Sequence, residues 1–437
     1  MSSNKNSTDL QNCNKCGLCM SVCPVYKTLK EEQAAPRARL RMIKALEDGD
    51  VSASPLLKEL ISKCLMCGSC SAICPSGVDH YGRFMAMRSK MTQELGDPLA
   101  IRSLIFILAK NHRIRLGAGM ARLGQRLLPQ ALAENNRVGE IPLDQFPKLN
   151  TLPLTSDLPE IIPARGPKRG SLLYFTGCAT QYIFGDTGRA AVKLLTHLGY
   201  EIIIPKGQTC CGIPMMFHGA REQALHNMET NVKALGRAFQ KYQPLAIVTD
   251  CSTCGTGLRD EYPALIRDYG SPSKTGLSPN FDPSLALKMA SKVRDILSII
   301  REHKDELSFK GEAQRVTYHL PCHTKNSFDG QAVVTDLLNH LDCFDHCPTP
   351  DMASCCGGGG TFFYEYPKIS QKMSAKKIAN AQKTGAKTWL TDCPVCRINL
   401  SGHLSNHLSD HLSEYRPGDA PLEVEHPLVV MARMLKE

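Results

Sequence analysis

The chain has 437 residues, too many for one compact core, so two or three domains are expected. Its hydrophobic content of 42% is that of a folded globular protein, which excludes disorder as its working state. A formal net charge of +10 suits an acidic protein partner or an anionic membrane face, and the lack of a basic block interleaved with aromatics argues against nucleic acid.

Residues 1–13 contain no apolar run of the kind that directs export. The longest apolar stretch, Leu104 to Ala109, falls far short of the ~20 residues that span a bilayer. A cytoplasmic protein is expected, soluble or peripheral on the cytoplasmic face of a membrane. Its 20 cysteines would mean disulfides in a small exported domain. Here they cluster as Cys-x-x-Cys in a large chain without an export signal, and that pattern points to metal.

Residues 1–95 carry two runs of one design. The first is Cys13, Cys16, Cys19 and Cys23 followed by Pro24; the second is Cys64, Cys67, Cys70 and Cys74 followed by Pro75. Three thiolates at this spacing wrap one face of a 4Fe-4S cubane, and the cysteine before proline ligates the other cluster in two-cluster proteins. The spacing therefore assigns Cys13, Cys16, Cys19 and Cys74 to one cubane, and Cys64, Cys67, Cys70 and Cys23 to the other. Zinc sites close with two separated pairs of ligands rather than two interlocked runs. A helix over Arg37 to Leu46 and a loop at Ser52 to Pro55 separate the runs.

Residues 96–168 lack cysteine and read as a helical connector followed by a Pro-rich linker, Ile141 to Pro167. Within the connector, Ile101, Leu104, Ile105, Leu108 and Leu116 accompany Arg102, Lys110, Arg113, Arg115, Arg122 and Arg126. The pattern predicts a helix packed between domains, with a peripheral membrane contact as the alternative.

The rest is a tandem repeat, divided into residues 169–275 and residues 276–437, the latter opening with a bridging helix. Over 171–258 and 315–400 the same features recur in order. A β-rich run (Leu172 to Phe175; Arg315 to Tyr318) leads to one cysteine, a helical stretch to Cys-Cys-Gly, and a longer helix to a second strand (Leu245 to Thr249; Thr388 to Thr391) that enters a Cys-x-x-Cys. In the first copy Leu225, Met228, Val232, Leu235 and Phe239 mark the long helix. Alternating strands and helices predict parallel sheets. The fold class is α+β multidomain, with an N-terminal α-helical two-cluster ferredoxin domain followed by tandem α/β cysteine-rich domains.

The first copy supplies Cys178, Cys210, Cys211, Cys251 and Cys254, and the second Cys322, Cys355, Cys356, Cys393 and Cys396. Each lies at a strand end or in a glycine-containing turn, where α/β sheets place binding groups. Five thiols exceed what a cubane or zinc requires. Spacing alone leaves open a cluster with a bridging thiolate, a cubane with a spare thiol, a redox dithiol, and zinc.

This order of motifs resembles the iron–sulfur subunit family of glycolate oxidase and D-lactate dehydrogenases, and its repeat resembles the cysteine-rich domains of heterodisulfide reductase subunits. Ala35 to Leu40, with Pro36, Arg37 and Arg39, is similar to the family's Pro-Arg-Gly-Arg segment, Ala38 standing at the glycine; Cys74 to Gly77 also fits. The resemblance implies one non-cubane 4Fe-4S cluster in each copy, and an FAD-containing 2-hydroxy-acid dehydrogenase subunit as partner. Electrons would pass to a quinone or another carrier. A heterodisulfide reductase-like activity, reducing a disulfide at a non-cubane cluster, is the alternative; a redox-sensing scaffold is a third.

No Gly-x-Gly-x-x-Gly follows a strand. Gly117 and Gly119 lie in a basic helical stretch, and Gly357 to Gly360 follow cysteines, so neither flavin nor NAD is expected on this chain. Cys343 and Cys347 fall outside the repeat and read as buried spare thiols. His403, His407 and His411 share a helix face, read as partly solvated; His197 and His218 read as structural. His319 and His323 flank Cys322 and are candidates to tune a cluster by hydrogen bonding to sulfur.

Overall fold

The computed structural model describes residues 12–127, 137–138, 141–142, 147–269, 277–327, 330–410 and 422–436. Up to Leu95 the described elements are helices: Leu18–Val22, Pro24–Leu29, the 3-10 turn Glu32–Ala34, Pro36–Asp48, Pro55–Ser62, Ser69–Ala72 and His80–Leu95. Pro24, Pro36 and Pro55 each occupy the first turn of a helix, where the missing N–H costs nothing and the fixed φ suits the helix. Ser54 caps the third of these helices through the Leu57 N–H.

Two short strands, β1 (Arg137–Val138) and β2 (Ile141–Pro142), pair antiparallel. The first cysteine-rich copy is built on β3 (Ile161–Ile162), β4 (Gly170–Tyr174), β5 (Tyr200–Ile203), β6 (Ala246–Thr249) and β7 (Val293–Asp295), in the order β3-β5-β4-β6-β7. Four of these strands are parallel, and β3 joins the edge antiparallel. The second copy repeats the parallel core with β8 (Gln314–Tyr318), β9 (Phe344–His346), β10 (Thr388–Leu390) and β11 (Glu423–Glu425), ordered β11-β10-β8-β9. Strand for strand, β5-β4-β6-β7 corresponds to β9-β8-β10-β11. The α+β expectation holds.

Two segment assignments need correction. β3 lies inside the stretch expected to be a Pro-rich linker, and β7 lies in the stretch assigned to the second copy, although it pairs with β6. Both strands are short: β3 has two residues at a sheet edge and β7 has three, two of them of charged type. Neither is long enough to display a period-two pattern.

Along β4 the side chains alternate between two cores. Leu172 and Tyr174 join a cluster that also contains Val316, Tyr318 and Leu390 of the second sheet, while Leu173 and Phe175 face the other way. The copies are interlocked in that shared core. Helix Pro427–Met434, which follows β11, packs on helix Gly185–His197 of the first copy; helix Ile296–Glu302, which follows β7, packs on helix Gly330–His340 of the second.

The ferredoxin part is equally continuous with the first copy. Leu40, Ile43, Ile61, Phe84 and Met91 belong to the same buried cluster as Leu173, Phe175, Ile203 and Met228. Arg88 fastens the junction. Its guanidinium is buried and donates at 2.6 Å to the carbonyls of Phe217, Ser62 and Cys64. The connector, expected as one helix, breaks at Ala109 and Lys110 into Leu99–Leu108 and Asn111–Leu127. Ile101, Ile105 and Ile114 are buried, whereas Leu116, Met120 and Leu123 remain exposed. Among the described residues no helix is long and apolar enough to cross a membrane.

Replacing Arg88 by Met should leave three inward carbonyls without a donor and lower stability by about 3 kcal/mol. Chemical denaturation checks this; a variant within ~0.5 kcal/mol of the wild type would show that Arg88 does not hold the junction.

Candidate metal centres

The two ferredoxin runs share a backbone device. Lys15 and Gly17 in the first run, and Met66 and Gly68 in the second, all have positive φ, at 55°, 81°, 52° and 72°. A non-glycine residue in this region is strained and persists where its surroundings demand it. Here it curls each Cys-x-x-Cys-Gly inward at the same positions.

One cavity is lined by Cys23, Cys64, Cys67 and Cys70, with Val25, Leu65, Met66 and Phe84 as apolar wall and Pro36 and Arg39 beside them. The chain thus brings the fourth cysteine of the first run to the three leading cysteines of the second. Arg39 is buried and donates to the carbonyls of Leu60, at 3.1 Å, and Lys63, which fixes the turn ahead of Cys64. Cys19 lies within electrostatic reach of Cys13 and Cys16, and burial pushes its thiol up. Cys13 and Cys74 are half-buried against the same core. Four soft sulfurs around an apolar cavity, with N–H groups aimed at them, suit an iron–sulfur cluster.

In the first copy the sulfurs form a connected series. Cys178 hydrogen-bonds Cys210, Cys210 bonds Cys211, Cys211 bonds Cys254, and Cys254 bonds Cys251. Hydrogen bonds from Cys210 and Cys254 bring Cys211 down to about 6. The second copy links Cys355, Cys356, Cys396 and Cys393 in the same way, and Cys356 is the thiol held low, by Cys355, Cys396 and His319. Gly212 and Gly357 explain the Cys-Cys-Gly motif: their φ values are 94° and 90°, and a Cβ on Gly357 would lie 2.9 Å from the Ser370 hydroxyl. The donor sets fit a thiolate-ligated cluster in both copies.

A third feature escaped the sequence reading. The residue before each Cys-x-x-Cys is a buried aspartate, Asp250 or Asp392. Thr180 donates to Asp250 at 2.6 Å, with Tyr174 alongside; Thr324 and Tyr318 both donate to Asp392. Burial raises both carboxyls, Asp250 to about 6. The signal was present in the sequence, as Tyr-x-x-x-Cys-x-Thr matched by Thr-Asp-Cys in both copies.

The centres adjoin one another. Cys322 and Cys355 are within electrostatic reach of Cys67, and Asn326 donates to the Cys67 carbonyl at 2.9 Å. Cys251 and Cys393 face each other across the two copies, where the Ser252 N–H meets the Asp392 carbonyl. His323 reaches Thr253 at 3.0 Å, and that hydroxyl lies 3.6 Å from the Cys393 sulfur. His319 lies against Cys356 and Cys396.

The remaining candidates stand apart. Cys343 is buried in the core shared by the copies, its thiol raised to about 12 by burial; Cys347 is partly buried. His403 is partly buried, as a partly solvated face implies, and lies 3.2 Å from the Ser370 hydroxyl, because its helix packs on helix Pro367–Gln382. The His407 side chain and His411 lie outside the described residues. His218 joins the copies by contacting the Thr361 hydroxyl, and His197 occupies the last turn of its helix.

A 4Fe-4S dicluster domain matches residues 9–78, and the Cysteine-rich domain matches residues 172–259 and 316–401. The probable glycolate oxidase iron-sulfur subunit of Bacillus subtilis is 27% identical, the match covering 90% of this chain and 88% of that one. Lactate utilization protein A of Geobacillus thermodenitrificans is 30% identical over 53% of this chain and 90% of its own. The chain belongs to the glycolate oxidase iron–sulfur subunit family. A subunit of the CoM/CoB fumarate reductase of Methanothermobacter marburgensis is 26% identical over 90% of this chain and 68% of that one. Family membership makes this an iron–sulfur subunit of an oxidoreductase.

Burial pushes His218 down to about 4 from its ordinary 6.5. The folded form therefore resists a proton that the unfolded chain accepts, so this contribution is complete above the ordinary value and is lost as pH falls toward 4. Between about pH 7.5 and about pH 5.5 the wild type should lose about 1.4 kcal/mol that His218→Gln does not. Parallel denaturation curves at the two pH values measure this difference, and equal slopes would contradict it.

Proposed function

We propose that the chain carries electrons between an FAD-containing 2-hydroxy-acid dehydrogenase subunit and a quinone or another carrier. The observation that supports this reading best is the continuity of the sulfurs. They run from the cavity of Cys23, Cys64, Cys67 and Cys70, through Cys322 and Cys355, into the second copy, and from Cys393 to Cys251 into the first. In this reading Cys13, Cys16, Cys19 and Cys74 hold one 4Fe-4S cubane, and Cys23, Cys64, Cys67 and Cys70 hold the other. The five cysteines of each repeat copy hold a non-cubane 4Fe-4S cluster.

Bound clusters supply reversible one-electron acceptance at fixed points. The chain's own residues fix those points. The N–H groups of Tyr26, Met66, Cys254, Gly357 and Gly358 point at the sulfurs of Cys23, Cys64, Cys251, Cys355 and Cys356 at 3.4–3.5 Å, stabilising negative charge there. The exposed Leu116, Met120 and Leu123, with Arg113 and Arg122 on the same helix, offer a surface for peripheral contact with an anionic membrane. Similarity to the CoM/CoB fumarate reductase subunit favours a second reading, disulfide reduction at a repeat centre. Burial of Cys210, Cys211, Cys251 and Cys254 weighs against it, since a disulfide must reach a centre to be reduced.

Four 4Fe-4S clusters amount to about 16 iron atoms per chain on anaerobic purification. A value near ~8 iron with ~2 zinc would assign the repeat half to zinc instead. The isolated chain should not oxidise glycolate or D-lactate with any artificial acceptor, and its clusters should bleach only when a flavoprotein partner and substrate are both present. In anaerobic stopped-flow, Cys356→Ser should leave flavin reduction intact and block delivery to the acceptor, while Cys211→Ser leaves the second-copy centre reducible. Undiminished quinone reduction by both variants would take the repeat out of the path. Disulfide reduction by the isolated chain, given an electron donor, would establish the second reading.

A further inference from the structure

The two cysteine-rich copies are close in backbone and different in the chemistry around their sulfurs. Three residues before the first cysteine, the first copy has Phe175 and the second has His319. Counting back 16 residues from Cys251 and from Cys393, the first copy has Leu235 and the second has Lys377. All four side chains are buried, so each pair exchanges an apolar group for a polar one at matched depth.

His319 is 1% exposed, and its ring finds no nitrogen or oxygen partner among the described residues; its polar contact is with the Cys356 sulfur. A buried imidazole whose polar contact is a sulfur, a weak partner, leaves much of its desolvation cost unmet. Its backbone is held in place, the N–H donating to the Leu390 carbonyl at 2.8 Å. A ring nitrogen lies within 4.8 Å of the sulfurs of both Cys356 and Cys396, which also lie within that distance of each other. One nitrogen and two sulfurs at such separations surround a point that a single metal ion can occupy, given bonds of about 2.0–2.1 Å to imidazole and about 2.3 Å to thiolate.

Cys322 is placed differently from its counterpart. Cys178 hydrogen-bonds Cys210, whereas the Cys322 sulfur accepts from the His323 N–H and lies within electrostatic reach of Cys67 as well as of Cys393 and Cys356. The second copy thus has one cysteine within reach of both the ferredoxin half and its own centre, and one imidazole against its own centre.

We propose that His319 ligates iron through a ring nitrogen in the second-copy centre, beside Cys356 and Cys396, giving mixed imidazole and thiolate ligation where the first-copy centre has thiolates alone. The proposal rests on the iron–sulfur reading of the repeat. A neutral imidazole ligates iron without adding negative charge to the centre, and histidine ligation raises the potential of a cluster. Lys377 acts in the same direction: its ammonium is held by the carbonyls of Asp351 and Met352 within electrostatic reach of Cys355, Cys356 and Cys396. The second-copy centre is therefore the more easily reduced of the two, and it is the one that adjoins Cys67.

The test uses the full chain purified anaerobically with iron-57, as wild type, His319→Phe and His319→Cys. Phenylalanine is the residue that the first copy carries at this place. Mössbauer spectroscopy reports every iron whatever its spin state. In His319→Phe the doublet of about one iron per chain should shift or vanish, and in His319→Cys it should return with the lower isomer shift of thiolate ligation. An equilibrium redox titration should find one midpoint lower in His319→Cys than in the wild type, the others unmoved. Superimposable wild-type and His319→Phe spectra at equal iron content would overturn the proposal, as would iron lost in His319→Phe and not restored in His319→Cys. A wild type with iron in the ferredoxin half alone would remove the underlying reading together with the proposal, and total iron distinguishes that result from the others.

Discussion

Each cysteine-rich centre depends on a buried carboxyl that ties two distant turns together. Asp250 ends one strand immediately before Cys251, and its partner Thr180 sits two residues after Cys178 on the neighbouring strand's exit. Asp392, Thr324 and Tyr318 repeat the arrangement around Cys393 and Cys322. Parallel strands deliver their ends to one edge of the sheet but leave the loops free to diverge. A buried carboxyl that must keep its hydrogen bonds removes that freedom, so the single cysteine and the Cys-x-x-Cys stay within reach of one ligand. Burial costs the charged form, and the hydroxyls offset part of that cost.

The same economy of position operates between modules. Arg88 and Arg39 are buried cations with no carboxylate within salt-bridge distance among the described residues, and both donate to main-chain carbonyls of the Leu60–Cys64 turn, Arg88 also to that of Phe217. Main-chain carbonyls at loop ends are otherwise exposed to water or left orphaned. Collecting them on a guanidinium makes the loop's shape independent of any one side chain able to compete for iron. The left-handed Lys15 and Met66 show that the loops are still held away from their resting conformations.

Much of this was legible in the sequence. The Cys-x-x-Cys runs, the Cys-Cys-Gly repeat and the helix marked by Leu225, Met228, Val232, Leu235 and Phe239 gave the α+β class and the order of its parts, because each is a local pattern with a local cause. What the sequence hid was long-range. β3 and β7 are too short to announce themselves, and their membership of the first sheet follows from pairing with residues far along the chain. The break at Ala109 and Lys110 was hidden for another reason, since apolar and basic residues continue through it without a change of period. Asp250 and Asp392 were visible as letters and silent as chemistry, since nothing in an isolated Thr-Asp-Cys says that Tyr174 or Thr324 will stand opposite. The contact of His403 with Ser370 was hidden because a helix face read alone cannot reveal the helix Pro367–Gln382 packed beside it.

The exchange of helices between the copies has a consequence for biosynthesis. Helix Gly185–His197 cannot bury its outer face until helix Pro427–Met434 arrives, and more than half of the chain is made between them. Domains usually fold as they leave the ribosome, the N-terminal ones first. Here the face of the first sheet that carries Leu172 and Tyr174 is synthesised well before the core it shares with the second copy can close, while the core around the first copy's cysteines is complete by Val293. Completion of the shared core is therefore tied to the end of the second copy, which makes the pair, rather than either copy, the unit that folds.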